Sequence, residues 1–398
     1  MDIAGDATPV AGEPLRLQVQ GRGQGGVATL YAESGKPVEI PYGADGVVAL
    51  DRAPSLCEDD LFYAPVHLQP ESGGGRVFAI KTRWPLSVDL RSEVAVDEDG
   101  SRSDRVALRI RNNGSMPTRG SCQVACAGTP WRAEAGFGPV ASLATAHVDC
   151  GAAPVADPHQ AQEFIAEVAM EGGAARIRRR RLVFLGIPRS EDLAKADWAA
   201  CLPIALDKRE LLDAGLTSHW DGPQDASAEI RILWNADGLH FNVEVVGDAL
   251  FPSPRRDQFM FGDSLQIGLN PIDHEDVPCF SFYDVLLTRG GDGADERCWI
   301  RTAPQLAVES IERGGRHLPA SCFSVEKIEA TRTRLRLHLP WSVLAPMQPL
   351  PGYRFGLYLY LFDNDGTGLK SAMAWPWPTT DRCWYIPAGA DWAQATLL

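Results

Sequence analysis

The feature that most constrains this chain is an alternation of apolar and polar residues with a period of two, in short runs punctuated by Gly, Pro, Asn and Asp. It is clearest between Trp220 and Pro271. Ala228, Ile230, Ile232 and Trp234 alternate with Glu229, Arg231 and Leu233, as a strand with one buried face requires. Turn chemistry follows at Asn235-Ala236-Asp237-Gly238, and Leu239, Phe241, Val243 and Val245 resume the period, which predicts a hairpin. Leu265, Ile267 and Leu269 form a third alternating strand, closed by Asn270-Pro271. Runs of this kind bury their apolar faces by packing sheet on sheet, so the expected class is all-β: tandem antiparallel β-sandwiches.

Upstream the style is the same. With 398 residues the chain exceeds one ordinary sandwich and predicts two to three domains. Residues 1–84 read as a first small all-β unit, in which 61–70 and 76–83 form a long hairpin around Glu71-Ser72-Gly73-Gly74-Gly75. Residues 85–188 read as a second. There Val106, Leu108 and Ile110 alternate toward Asn112-Asn113-Gly114, a second hairpin signal, and Gly172-Gly173 marks a third. By analogy both units are expected to be immunoglobulin-like sandwiches. The run Arg178-Arg179-Arg180-Arg181, with Arg176 nearby, puts arginines on both faces of a strand, which points to a sheet edge or a seam between domains. Ile187-Pro188 ends the second unit, a short polar bridge with helical character follows, and residues 189–398 form the third domain.

In that last region "W-D-G-x-x-D-A-S-A" from Trp220, "I-L-W-N-A-D-G-L-H-F-N-V-E-V" and "G-D-S-L-Q-I-G-L-N-P" occur in order. "L-P-W-S-V-L" (339–344), "G-Y-R-F-G-L-Y-L-Y-L-F-D-N-D-G" (352–366) and "A-M-A-W" (372–375) follow them. The ordered set resembles the family 9 carbohydrate-binding module and its superfamily, over about residues 190–398. The resemblance implies an antiparallel sandwich that binds sugar. In sugar-binding members two aromatic rings sandwich a terminal sugar; mapped onto this chain they fall at Met260 or Phe261 and at Trp384. The family's tryptophan at the first position is absent, and its strand carboxylate is replaced by Gln266. Where an arginine is expected on the next strand, Tyr283 and Asp284 stand. The resemblance also implies calcium, for which Asp363, Asn364 and Asp365 offer hard oxygen donors, although a distal Glu is missing and a plain hairpin turn is the alternative.

Sugar sites need aromatic faces and planar hydrogen-bonding groups. Nine of the eleven tryptophans lie in 189–398. Trp234, Trp341 and Trp375 sit in strand contexts and are expected in the core, whereas Trp377 and Trp384 belong to the Pro- and Thr-rich loop "WPWPTTDRCWYIP". The net charge of −14 argues against a nucleic-acid partner. No apolar run reaches the roughly 18–20 residues of a membrane span.

The N-terminus "MDIAGDATPV" shows no leader, so the expected location is the cytoplasm, or the cell surface or exterior if a leader precedes this sequence. The nine cysteines lack metal-site spacing and read as small buried thiols, with disulfides open if the protein is exported. No nucleophile elbow, zincin motif or phosphate loop is present, so no enzyme is expected. The expected function is non-catalytic binding of a polysaccharide or oligosaccharide, accessory to an upstream catalytic domain or partner enzyme. One rival is a structural or surface-assembly protein with a degenerate sugar site. The other is a haem-binding electron-transfer module recruiting Met260, Met373 and His240.

Overall fold

The computed structural model describes residues 2–5, 15–20, 25–31, 37–45, 47–50, 61–70, 76–97, 100–171, 175–199, 201–247, 262–271, 282–288, 297–302, 316–366, 368–378, 382–383, 386–387 and 392–398. Regular structure among them is strand, apart from the short 3-10 turns Arg209–Leu211 and Ala320–Cys322. The chain is therefore all-β, in antiparallel sheets, as the alternation requires. None of the described helices is long and apolar enough to cross a membrane.

The chain divides into two compact units. The first comprises Met1–Arg91, Val106–Gly151 and Phe164–Arg179; the second comprises Ser92–Arg105, Ala152–Glu163 and Arg180–Leu398. The strands Leu86–Val96, Arg102–Asn112, Gln162–Met170 and Ala175–Leu182 each contain a boundary.

Within the first unit, residues 2–83 supply a three-stranded sheet and a four-stranded sheet. The long hairpin pairs Leu61–Pro70 with Arg76–Arg83, as the sequence predicts. The following residues supply a further sheet of four strands and one of three. Val106, Leu108, Ile110, Val124 and Val168 are buried on the faces that the period of two assigns them.

The second hairpin signal is overturned. Arg102–Asn112 and Thr118–Cys126 belong to different sheets, so the Asn112-Asn113-Gly114 corner carries the chain across. Both asparagines are buried and cap the crossing. Asn112 donates Nδ2 to the carbonyls of Met116 (2.7 Å) and Val140 (3.0 Å). Asn113 donates Nδ2 to Trp84 O (2.9 Å) and Ser87 Oγ (2.8 Å). The arginine run lies on Ala175–Leu182, the edge of its sheet. There Arg176 turns inward, donates Nη1 to Leu86 O at 2.9 Å and lies 5.8 Å over the Trp84 ring.

The second unit is a sandwich. Its smaller sheet has five strands in the order Ile204–Leu206, Ala226–Trp234, Gly238–Gly247, Arg332–Pro340 and Phe323–Lys327. The hairpin read from the sequence stands at its centre, with Trp234 opposite Leu239 and Ile230 opposite Val243. Asn235 closes the turn by accepting the amides of Asp237 (2.9 Å) and Gly238 (3.1 Å) on Oδ1.

The larger sheet has eight strands. Its path runs Leu185–Ile187, Ala393–Leu397, Arg354–Asn364, Ser264–Asn270, Tyr283–Thr288, Arg297–Thr302 and Arg316–His317, and Leu369–Trp375 also pairs with Arg354–Asn364. The bridge expected to be polar and helical forms turns and bends over 189–197, with one isolated bridge from Arg189 to Trp234, and the strand before it, Leu185–Ile187, runs parallel to Ala393–Leu397.

Between the sheets lies one apolar cluster. Ile230, Ile232 and Trp234 from one side meet Leu265, Ile267, Leu357 and Leu359 from the other. Three tryptophans anchor it through their indole N–H groups: Trp234 to Leu398 O (3.0 Å), Trp341 to Asn235 O (2.9 Å) and Trp375 to His159 O (3.0 Å). Trp234 is 1% exposed and carries the Arg189 guanidinium 5.1 Å above its ring. Deleting such a ring leaves a cavity and an orphaned carbonyl. Trp234→Ala should lower the unfolding free energy of the second unit by about 3–5 kcal/mol, read by urea denaturation; a loss under about 1 kcal/mol would place the ring outside the core.

Candidate functional site

Alternation along Ser264–Asn270 sends Leu265, Ile267 and Leu269 into the core and Gln266, Gly268 and Asn270 to the outer face of the large sheet. On the adjacent strand the register pairs Leu269 with Tyr283 and Gly268 with Asp284, so Asp284 shares the outer face with Gln266. The two meet: Gln266 donates Nε2 to Asp284 Oδ1 at 2.9 Å. Both are buried, at 2% and 0% exposure. With its amide nitrogen committed to the carboxylate, Gln266 keeps Oε1 buried with no hydrogen-bond partner among the described residues.

An aromatic layer surrounds this pair. Tyr358, Tyr360, Phe362, Phe282 and Trp392 pack together outside the sheet. Tyr360 stacks on Phe362 with centroids 4.9 Å apart and planes 10° from parallel. The Trp392 ring closes on Gly268, where an added Cβ would sit 2.8 Å from the indole; only glycine lets the ring approach. Tyr360 donates its hydroxyl to the buried Asp213.

Of the residues read from the sequence, Gln266 is on this face and Tyr283 is not. Tyr283 points into the sandwich core and donates its hydroxyl to Ala345 O. The reason is the period of two, which places neighbours on opposite faces. Trp377 belongs to the inner cluster, buried to 7% exposure under the Arg181 guanidinium at 5.9 Å. Met260, Phe261 and Trp384 lie outside the described residues.

Of the residues named for haem, the two described stand apart: Met373 sits in the inner cluster, whereas His240 stacks on His338 with centroids 4.4 Å apart on the smaller sheet. The described Cys122, Cys126, Cys150, Cys201, Cys298 and Cys322 are buried thiols.

A second feature stands at the end of Arg354–Asn364. Carboxylate oxygens of Asp225, Asp363 and Asp365 lie within 4.8 Å of one another. Two of the three expected donors are there, and Asp225 joins them from the other sheet. Asn364 instead closes the turn, its Oδ1 accepting the amides of Gly366 (2.6 Å) and Gly368 (3.3 Å).

Lys370 places Nζ at 2.6 Å from both Asp225 Oδ1 and Asp365 Oδ2. Burial opposes its charge, but these hydrogen bonds outweigh that and raise its pKa. Burial, and then the charges of Asp263, Asp225 and Asp365, push the Asp363 carboxyl up to about 7. The donors suit a hard cation, and negative charge exceeds what Lys370 supplies, so the cluster fits calcium in kind while a built-in ammonium already bridges two of its carboxylates. Sequence reasoning missed Asp225 and Lys370. Asp225 lay inside the quoted "D-A-S-A" motif, but nothing local tied it to a lysine 145 residues away.

No protein-family model matches the sequence, and none of the curated proteins does. Among solved structures, the chain is similar to a family 9 carbohydrate-binding module from Caldicellulosiruptor kristjanssonii in complex with cellotriose. The identity is 12%, the match covers 54% of this chain and 92% of that one, and the TM-score is 0.37. The same module in complex with glucose matches at 12% identity over 54% and 95%, TM-score 0.37. A Bacteroides uniformis protein described as carbohydrate-binding matches at 10% identity over 54% and 98%, TM-score 0.36.

The raised Asp363 pKa has a signed consequence. Its folded value, about 7, exceeds the reference 3.8, so this group's contribution is full below the unfolded value and is lost as pH rises through the folded one. Asp363→Asn removes that loss. Thermal melts across about pH 5–8 should show the variant gaining on the wild type toward the alkaline end, by on the order of 2 kcal/mol. Parallel curves would show that Asp363 is ionised throughout.

Proposed function

We propose that this chain binds carbohydrate without catalysing a reaction on it, at the outer face of the large sheet. The observation that carries the reading is Gln266. Its amide is buried in an aromatic layer, held by Asp284, with an acceptor oxygen unfilled among the described residues. A sugar hydroxyl is a donor of the right kind, and planar polar groups beside aromatic rings are the means by which pyranoses are held. Phe261, or Met260, and Trp384 are proposed as the stacking walls, on the strength of the sequence resemblance.

The same reading makes the protein an accessory part of a polysaccharide-handling system, with a catalytic domain or partner enzyme, at the cell surface or outside the cell. The paired sheets of three and four strands in residues 2–182 support immunoglobulin-like spacer units there. A structural role is the second reading, favoured by the burial of Gln266 and Trp377.

Glycan-array screening followed by calorimetry separates the two. The wild type should bind a neutral glycan, and Gln266→Ala and Trp384→Ala should each abolish binding, with Trp384→Ala leaving stability within about 1 kcal/mol. A wild type that binds no glycan at millimolar concentration, with Trp384→Ala melting several degrees lower, would leave the structural role.

Calcium belongs to the same proposal, at Asp225, Asp363 and Asp365 in competition with Lys370. Calcium added to EDTA-treated Lys370→Ala should raise its melting temperature more than that of the wild type. A ligand at a hundredfold its Kd stabilises by about 2.7 kcal/mol. No response in either protein would remove calcium from the account.

A further inference from the structure

A cleft of about 540 Å³ in the second unit is lined by residues 157–163, 203–211 and 375–377. Its wall includes Trp377, and the charged side chains around it are Asp157, Glu163, Glu210, Arg181 and Lys208. At its base lies His159, 7% exposed and clamped on three sides. Its backbone amide donates to Asp157 Oδ1 (3.0 Å), its carbonyl accepts the Trp375 indole (3.0 Å), and its Nδ1 lies 2.9 Å from Pro203 O. A carbonyl can only accept, so Nδ1 carries the proton. Burial, the largest influence, lowers the His159 pKa and keeps the ring neutral. Nε2 is then a lone-pair acceptor, buried and with no hydrogen-bond partner among the described residues.

This arrangement selects its occupant. An acceptor-only nitrogen requires a donor, which a carboxylate lacks and a phosphate offers only through a P–OH, and Asp157, Glu163 and Glu210 repel both anions. An organic cation would meet Lys208 at the cleft and Arg181 already over the Trp377 ring at 5.9 Å. A neutral molecule with hydroxyl donors on one edge meets both demands. We propose that this cleft is a second binding site, taking a neutral saccharide unit that donates a hydroxyl to His159 Nε2 and sits beside the part of Trp377 that lines the cleft, while Arg181 keeps the ring's face. It shares no residue with the outer face at Gln266, so either site can fail without the other.

The test follows the His159 side-chain nitrogens of the full-length protein by NMR during titration with neutral gluco-, manno- and xylo-oligosaccharides. Wild type and Gln266→Ala should both show Nε2 moving upfield from the position of a free pyridine-like nitrogen, with Nδ1 still protonated. Trp377→Ala should weaken this response at least about tenfold. Because Trp377 is buried and its loss can disturb folding, Lys208→Ala and Glu210→Ala, both at exposed positions, serve as fold-neutral variants and should weaken it severalfold. An unmoved Nε2 overturns the proposal, whether the oligosaccharides bind elsewhere or do not bind at all. A response that disappears in Gln266→Ala overturns it too, since the shift would then report the outer face.

Discussion

The strand Arg354–Asn364 is the element on which the second unit depends. It pairs with Ser264–Asn270, Leu369–Trp375 and Ala393–Leu397, and every residue from Phe355 to Asn364 is buried. Its odd-numbered leucines, Leu357, Leu359 and Leu361, face the smaller sheet, while Tyr358, Tyr360 and Phe362 build the outer aromatic layer. A strand buried on both faces cannot slip by one residue without exchanging leucines for tyrosines and breaking the bond from the Tyr360 hydroxyl to Asp213. That fixed register also brings Asp363 to the cluster with Asp225, Asp365 and Lys370. The core, the outer face and the acidic cluster are therefore consequences of one alignment.

How much of this was legible depends on the range over which each cause acts. The hairpin around Asn235 was readable because period, turn chemistry and partner strand are adjacent in sequence. Burial of Trp234 followed from the same alternation. The Asn112-Asn113-Gly114 corner carries identical local signals yet crosses between sheets. What decides it is the reach of two buried amides to Trp84 and Val140, which no local window contains. At the outer face the position of Gln266 was legible, and the next strand offered both Tyr283 and Asp284. Register decides between them: Asp284 stands beside Gln266, while Tyr283 turns to the opposite face.

The arginine run shows how one sequence feature serves several ends. On an edge strand every second side chain turns inward, which for Arg176 would bury a charge at considerable cost. The cost is met by a backbone carbonyl at 2.9 Å and the face of Trp84, partners that suit a guanidinium and not an ammonium. Arg181, further along, lies over Trp377. Geometry thus suits arginine to positions 176 and 181.

Gln266 and His159 share a construction. Each is a group able both to donate and to accept, and each has a donor held inside the fold, at Asp284 Oδ1 and at Pro203 O. Each also keeps an acceptor in a fixed place, buried, beside aromatic rings. A group free to rotate would offer either role and discriminate little. A clamped one presents its acceptor in one direction, and burial makes a failure to fill it costly. Specificity for hydroxyl donors then resides in the partners that hold these two side chains, and Asp284 and Pro203 govern what the two sites can accept although neither need touch an occupant.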